Sequence, residues 1–102
     1  MYSKILTLVI AGTLAIVSMP VMAADPGNGA QVYSVHCSGC HGDDGRGGMP
    51  GLPDFTRGEG LFQPNSQLAT TIRNGKQVMP AYQGILTNDD INDVIAYLRS
   101  FR

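Results

Sequence analysis

Cys37, Cys40 and His41 are the residues of this 102-residue chain best equipped for chemistry, because they stand together as Cys-Ser-Gly-Cys-His and no other cysteine occurs. Two thiols two residues apart, with an imidazole directly after the second, form the C-x-x-C-H signature of covalent haem attachment. On a helical turn both sulfurs reach the same edge of a porphyrin and add to its two vinyl groups. The next side chain then projects beneath the ring plane, which makes His41 the proximal iron ligand. Other uses of a Cys pair fit less well. A disulfide oxidoreductase motif sits near a βαβ pattern, and no β-branched strand run precedes Cys37. A structural zinc site needs four ligands around a tetrahedron, whereas His36, Cys37, Cys40 and His41 crowd into six consecutive residues. An inert disulfide would close a very short loop, where the chain-entropy gain is least.

Iron held by His41 on one face needs a soft or imidazole ligand on the other. Beyond residue 23 the candidates are Met49, Met79 and His36. Met49 follows His41 by eight residues, too short a Gly/Pro-containing segment to leave the proximal side and wrap the ring. Met79 follows by 38 residues, enough to cross to the distal face, and Pro80 biases it toward an extended backbone. Met79 is therefore the expected second ligand, and His36 is expected to be a solvated neighbour of the motif.

The rest of the chain explains why such a group is needed. Residues 1–23 read as a secretory signal peptide: Lys4 supplies a positive start, residues 5–17 an apolar run, and Val21-Met22-Ala23 a small-residue cleavage site. Thirteen apolar-run residues interrupted by Gly12 and Thr13 fall short of the roughly 20 that span a bilayer. After cleavage no membrane span is expected, and the location is the periplasm. The remaining 79 residues hold 28 apolar side chains, 12 Gly and 5 Pro, a thin core that calls for a staple or cofactor. They carry six Lys and Arg against eight Asp and Glu, a net of −2. Nothing in this balance suggests nucleic-acid binding, which requires a basic patch or stripe.

Apolar periodicity predicts an all-α fold of three to four short helices with long Gly/Pro-rich loops. Asp25-Pro26 caps and opens a first helix. Gly29, Val32, Tyr33, His36, Cys37 and Cys40 recur along it at spacings of three and four, which places the motif at its C-terminal end. A second helix is expected over residues 66–74, with Asn65 or Ser66 as cap, Leu68 and Ile72 inward, and Gly75 ending it. A third starts at Thr87, with Asp90 completing a capping box and Ile91, Val94, Ile95 and Leu98 as its apolar face. Asp89, Asp90 and Asp93 are expected to be a solvated first turn, and Arg99 and Arg102 to complement the other end.

Taken together, residues 24–102 resemble the class I c-type cytochromes, in their short, mono-haem, bacterial periplasmic branch. Gly29 and Tyr33, eight and four residues before Cys37, match a Gly and an aromatic that in that family face the C-terminal helix, where Tyr97 is the partner aromatic. Met79-Pro80-Ala81-Tyr82 resembles the family's methionine loop. The resemblance also implies that a proline carbonyl accepts the Nδ1–H of the ligand histidine, orienting the ring; Pro53 is the best match and Pro50 the substitute. Many members hold a haem propionate with a Trp, which this chain lacks, so that role falls to Arg57, Arg73, Lys76 or Tyr82.

The resulting expectation is one haem c bound through Cys37 and Cys40, with iron ligated by His41 and Met79. Such iron has no open position for substrate, which leaves one-electron exchange between periplasmic redox partners as the function. Those partners would be dehydrogenase, reductase or oxidase components that dock transiently on a monomer, through a neutral or basic face. The alternatives are a haem c subunit of a larger periplasmic oxidoreductase, or a ligand-binding haem sensor or enzyme with Met79 off the iron.

Overall fold

A computed structural model describes residues 7–16 and 23–101. Lys4, Val21, Met22 and Arg102 lie outside the described residues. Residues 7–16 form no regular element and expose their apolar side chains, Leu8 to 75% and Leu14 to 88%. Among the described residues no helix is long and apolar enough to cross a membrane.

Among the described residues four α-helices form: α1 (Pro26–His36), α2 (Ser38–His41), α3 (Asn65–Asn74) and α4 (Asn88–Leu98), with one 3-10 turn at Phe55–Arg57. Among the described residues no strand forms, and extended pairing is limited to two isolated bridges. The expected all-α architecture therefore holds, with one change at the motif. The first helix does not run unbroken through the cysteines. It stops at His36, and after Cys37 a separate four-residue helix begins.

The α1 start is fixed locally: the Asp25 carboxylate accepts the N–H groups of Gly27 and Asn28 at 2.9 and 3.2 Å, and Pro26 opens the helix. At α4 the capping box forms in full, with Asp90 N–H donating to Thr87 Oγ1 at 3.1 Å and Thr87 N–H to the Asp90 carboxylate at 3.2 Å. Thr87→Ala is expected to cost about 1 kcal/mol, read as a lower denaturant midpoint. At α3 neither expected cap is used. Pro64 takes that position, its carbonyl accepting from Gln67 and Leu68, while the Asn65 side chain accepts instead from Arg99 Nε at 2.8 Å.

Packing of α1 across α4 forms the centre of the core. Gly29 makes this possible: a Cβ there would overlap the Asp93 carbonyl, whose carbon would be 2.6 Å away, and would press Tyr97 Cβ at 2.9 Å. Tyr33, 2% exposed, lies against Tyr97 and Phe101 with ring centroids at 5.3 and 5.2 Å. Its hydroxyl donates to the Gly42 carbonyl at 2.6 Å, and burial pushes its pKa up to about 12. Ile91, Val94, Ile95 and Leu98 fill the α4 side, and Leu68, Ala69 and Ile72 of α3 complete the cluster.

Asp93 departs from expectation. It is buried rather than solvated, and its carboxylate accepts the Asp25 backbone N–H at 2.7 Å and Asn28 Nδ2 at 2.9 Å. Asn28 also donates to Asp90 at 2.9 Å, which holds the Asp90 carboxyl below its ordinary range. The acidic side chains Asp90 and Asp93 thus tie α4 to the start of α1. Arg99 has a similarly long reach, donating to the carbonyls of Leu61 and Gln63 at 2.9 and 2.8 Å and so pinning the loop before α3.

Candidate haem-binding site

The break between α1 and α2 sets the motif's geometry. Cys37 N–H still donates to the Tyr33 carbonyl at 2.9 Å, while the Cys37 carbonyl accepts from both Cys40 at 3.3 Å and His41 at 3.0 Å, so the helical ladder is interrupted and restarts from Cys37. Cys37 is half-buried and Cys40 is exposed, and no disulfide joins them. Burial pushes the Cys37 thiol up to about 11. Burial also lowers the His41 pKa, which favours the neutral imidazole, the form that ligates metal. The imidazole lies against the Phe55 ring at 5.0 Å. Phe55 gave no periodic signal, and its one clue was a large aromatic in a loop otherwise rich in Gly and Pro.

The expected hydrogen bond from His41 Nδ1 to the Pro53 carbonyl is not formed; that nitrogen is buried without a partner. The reason lies in the loop. Gly47 and Gly48 fold back to donate to the carbonyls of His41 and Cys40 at 2.9 and 3.0 Å, and the Pro53 carbonyl faces Gly47, 3.3 Å from where a Cβ would stand. Pro53 instead lines the cavity beside His41. His36 also departs from expectation, being half-buried against Tyr82 with ring centroids 5.6 Å apart. The Tyr82 hydroxyl donates to the His36 carbonyl at 2.8 Å, and its burial raises the phenol's pKa.

Met79 is delivered by a tight turn. α3 ends at Gly75, and residues 76–79 close on themselves, Lys76 N–H donating to the Met79 carbonyl at 3.1 Å and Met79 N–H to the Lys76 carbonyl at 2.9 Å. The chain then returns along α3, with Tyr82 and Gln83 donating to the carbonyls of Ile72 and Arg73. Gly75 has φ +75, and a Cβ on it would stand 2.6 Å from the Met79 carbonyl oxygen. Gly75→Ala should therefore displace this turn. The expected result is a loss of about 2 kcal/mol in stability and a weakened methionine-to-iron absorption band.

These elements converge on a cleft with two lobes, of about 70 and about 270 Å³. Cys37, His41 and Met79 line both lobes, whereas Cys40 and Met49 line the smaller alone. The larger is walled mainly by Leu52, Phe55, Leu61, Leu68, Ile72 and Leu98. Met79 packs against the core, while Met49 is 48% exposed. An apolar cleft carrying thiol, imidazole and thioether donors fits a haem. Among the described residues no group of three or more His, Cys, Asp or Glu gathers to hold a metal ion.

Comparison with known proteins gives a family and a fold. The model of the family described as cytochrome C oxidase, cbb3-type, subunit III matches residues 24–98. Cytochrome c6 of Nostoc sp. (strain PCC 7120) is 34% identical over 103 residues, covering 93% of this chain and 90% of that protein. Cytochrome c6 of Pyropia yezoensis is 35% identical over 83 residues, covering 76% and 73%.

The chain belongs to the class I c-type cytochromes. In fold, this cytochrome is similar to cytochrome c6 from the diatom Phaeodactylum tricornutum, with a TM-score of 0.61 and 24% identity over 76% of this chain and 93% of that one. It is a mono-haem electron-carrier cytochrome rather than an enzyme, with one covalently bound haem c.

Proposed function

We propose that Cys37 and Cys40 hold the haem through two thioethers, that His41 and Met79 ligate its iron, and that the protein shuttles electrons between periplasmic redox partners. The observation that carries this reading is the cleft in which Cys37, His41 and Met79 meet. When bound, the haem supplies a ferric/ferrous couple. The chain's own residues set the conditions for it. Met79 offers a soft thioether, which raises the reduction potential, and the apolar wall around Leu52, Phe55 and Leu68 disfavours the additional charge of the ferric form. A potentiometric titration tests this, with a reversible one-electron curve and no carbon monoxide binding to the ferrous protein at neutral pH expected. Ready carbon monoxide binding by the wild type would contradict it.

Residues 1–23 are proposed as an export signal removed near Ala24, which is supported by the exposed, unpacked apolar side chains between Leu8 and Ile16. Cleavage there retains the Asp25 N–H that Asp93 accepts. The mature net charge of −2 favours a neutral or basic face on a transient partner. Electron-transfer rates with a basic partner should therefore fall as ionic strength rises; rates indifferent to salt would count against this charge pairing. The description of the matching family as an oxidase subunit favours a second reading, a haem c subunit held in a larger oxidoreductase. Gel filtration of native extract separates the two, since a free carrier elutes as a monomer.

A further inference from the structure

Haem carries two carboxylates, and an apolar cavity that receives them must offer hydrogen-bond donors. The polar side chains of the larger lobe beyond the motif and Tyr33 are Gln63, Thr71, Lys76 and Gln77. Two are already engaged, Gln63 Nε2 donating to the Gly60 carbonyl at 2.7 Å and Thr71 Oγ1 to the Gln67 carbonyl at 3.2 Å. Lys76 has no carboxylate partner among the described residues, where the ion pair formed is Arg46 with Asp44. The other cations and the phenol considered from sequence are used elsewhere or stand apart. Arg73 Nε donates to Asn88, the Tyr82 hydroxyl to the His36 carbonyl, and Arg57 lines neither lobe of the cleft.

A second observation falls on the same turn. Gln77, with φ 54, is the only non-glycine residue with positive φ among the described residues. Glycine would occupy that position with less strain, and the strained residue stands at the cavity rim with an amide able to donate. We propose that Lys76 and Gln77 donate to the haem carboxylates, so that the turn presenting Met79 also anchors the other end of the cofactor. The proposal rests on the haem-binding reading above. It gives Lys76 an electrostatic effect: its ammonium offsets carboxylate charge that would otherwise favour ferric iron.

The test uses the intact haem-loaded protein and the variants Lys76→Gln, Lys76→Arg, Gln77→Gly and Arg57→Gln. Two readouts are taken, the reduction potential and the haem carboxylate bands of the infrared redox-difference spectrum. Lys76→Gln should lower the potential and shift a carboxylate band, and Lys76→Arg should restore both. Gln77→Gly should shift a carboxylate band while raising the melting temperature, because glycine relieves the backbone. Arg57→Gln, with the same change of charge, should leave the bands in place. Unchanged carboxylate bands in Lys76→Gln and Gln77→Gly would overturn the proposal, as would equal shifts in Arg57→Gln. This result requires only bound haem, so it is independent of the far-red absorption band that tests Met79 ligation.

Discussion

Replacing Met79 with alanine is expected to leave the haem in place, since Cys37, Cys40 and His41 are untouched, but to open one side of the iron. Ferrous protein should then bind carbon monoxide at neutral pH, and the ferric form should lose its weak far-red sulfur-to-iron band. The reduction potential should fall by on the order of 100 mV, a fraction of the roughly 0.8 V that axial ligands set across haem proteins. Met49→Ala is the matched control. Met49 lines the smaller lobe of the cleft but not the larger and is half exposed, whereas Met79 lines both and packs against the core. The Met49 variant should therefore keep the potential, the far-red band and its resistance to carbon monoxide.

The largest stability effect should come from Gly29→Ala, a change of a single methyl group. That methyl would overlap backbone of Asp93 rather than the end of a flexible side chain, so α1 and α4 must separate to admit it. Separation also stretches the hydrogen bonds from Asp25 and Asn28 to Asp93 and loosens Tyr33 against Tyr97. The expected cost is about 3 kcal/mol, at the upper end for overpacking. For a domain of this size that lowers the melting temperature by roughly 12–24 °C. Gly39→Ala is the comparison, because a Cβ at Gly39 meets nothing within 4 Å, and it should fall within about 1 kcal/mol of wild type.

The contrast between these two glycines shows what could be read from sequence and what could not. Gly29 and Tyr33 were legible because helical spacing put them on one face and the family resemblance set that face against the C-terminal helix, and Tyr97 because the resemblance implied it. The capping box at Thr87 and Asp90 was legible because it depends on residues three apart. Asp93 was not, since its partners lie 65 and 68 positions away, and an acid in the first turns of a helix reads locally as solvated. Arg99 follows the same rule: its role comes from a loop more than 30 residues distant. The proximal loop was the least legible part. Gly42, Gly45, Gly47 and Gly51 all adopt positive φ, so neither helical nor strand periodicity applies, and the direction of the Pro53 carbonyl depends on that path. The Met79 turn lies between these cases. Pro80 and Gly75 marked it in sequence, but the left-handed Gln77 and the placement of Lys76 on the cavity emerge only once the chain is folded.

The most direct test of the account is the visible absorption spectrum of the exported protein in both oxidation states, with the ferric form recorded into the far red. Covalent haem with His41 and Met79 on the iron predicts sharp low-spin ferrous bands together with the weak far-red band, the latter lost in Met79→Ala and kept in Met49→Ala. Sharp haem bands without the far-red feature in the wild type would contradict Met79 ligation. A spectrum with no haem bands would contradict the assignment of Cys37 and Cys40 as attachment points.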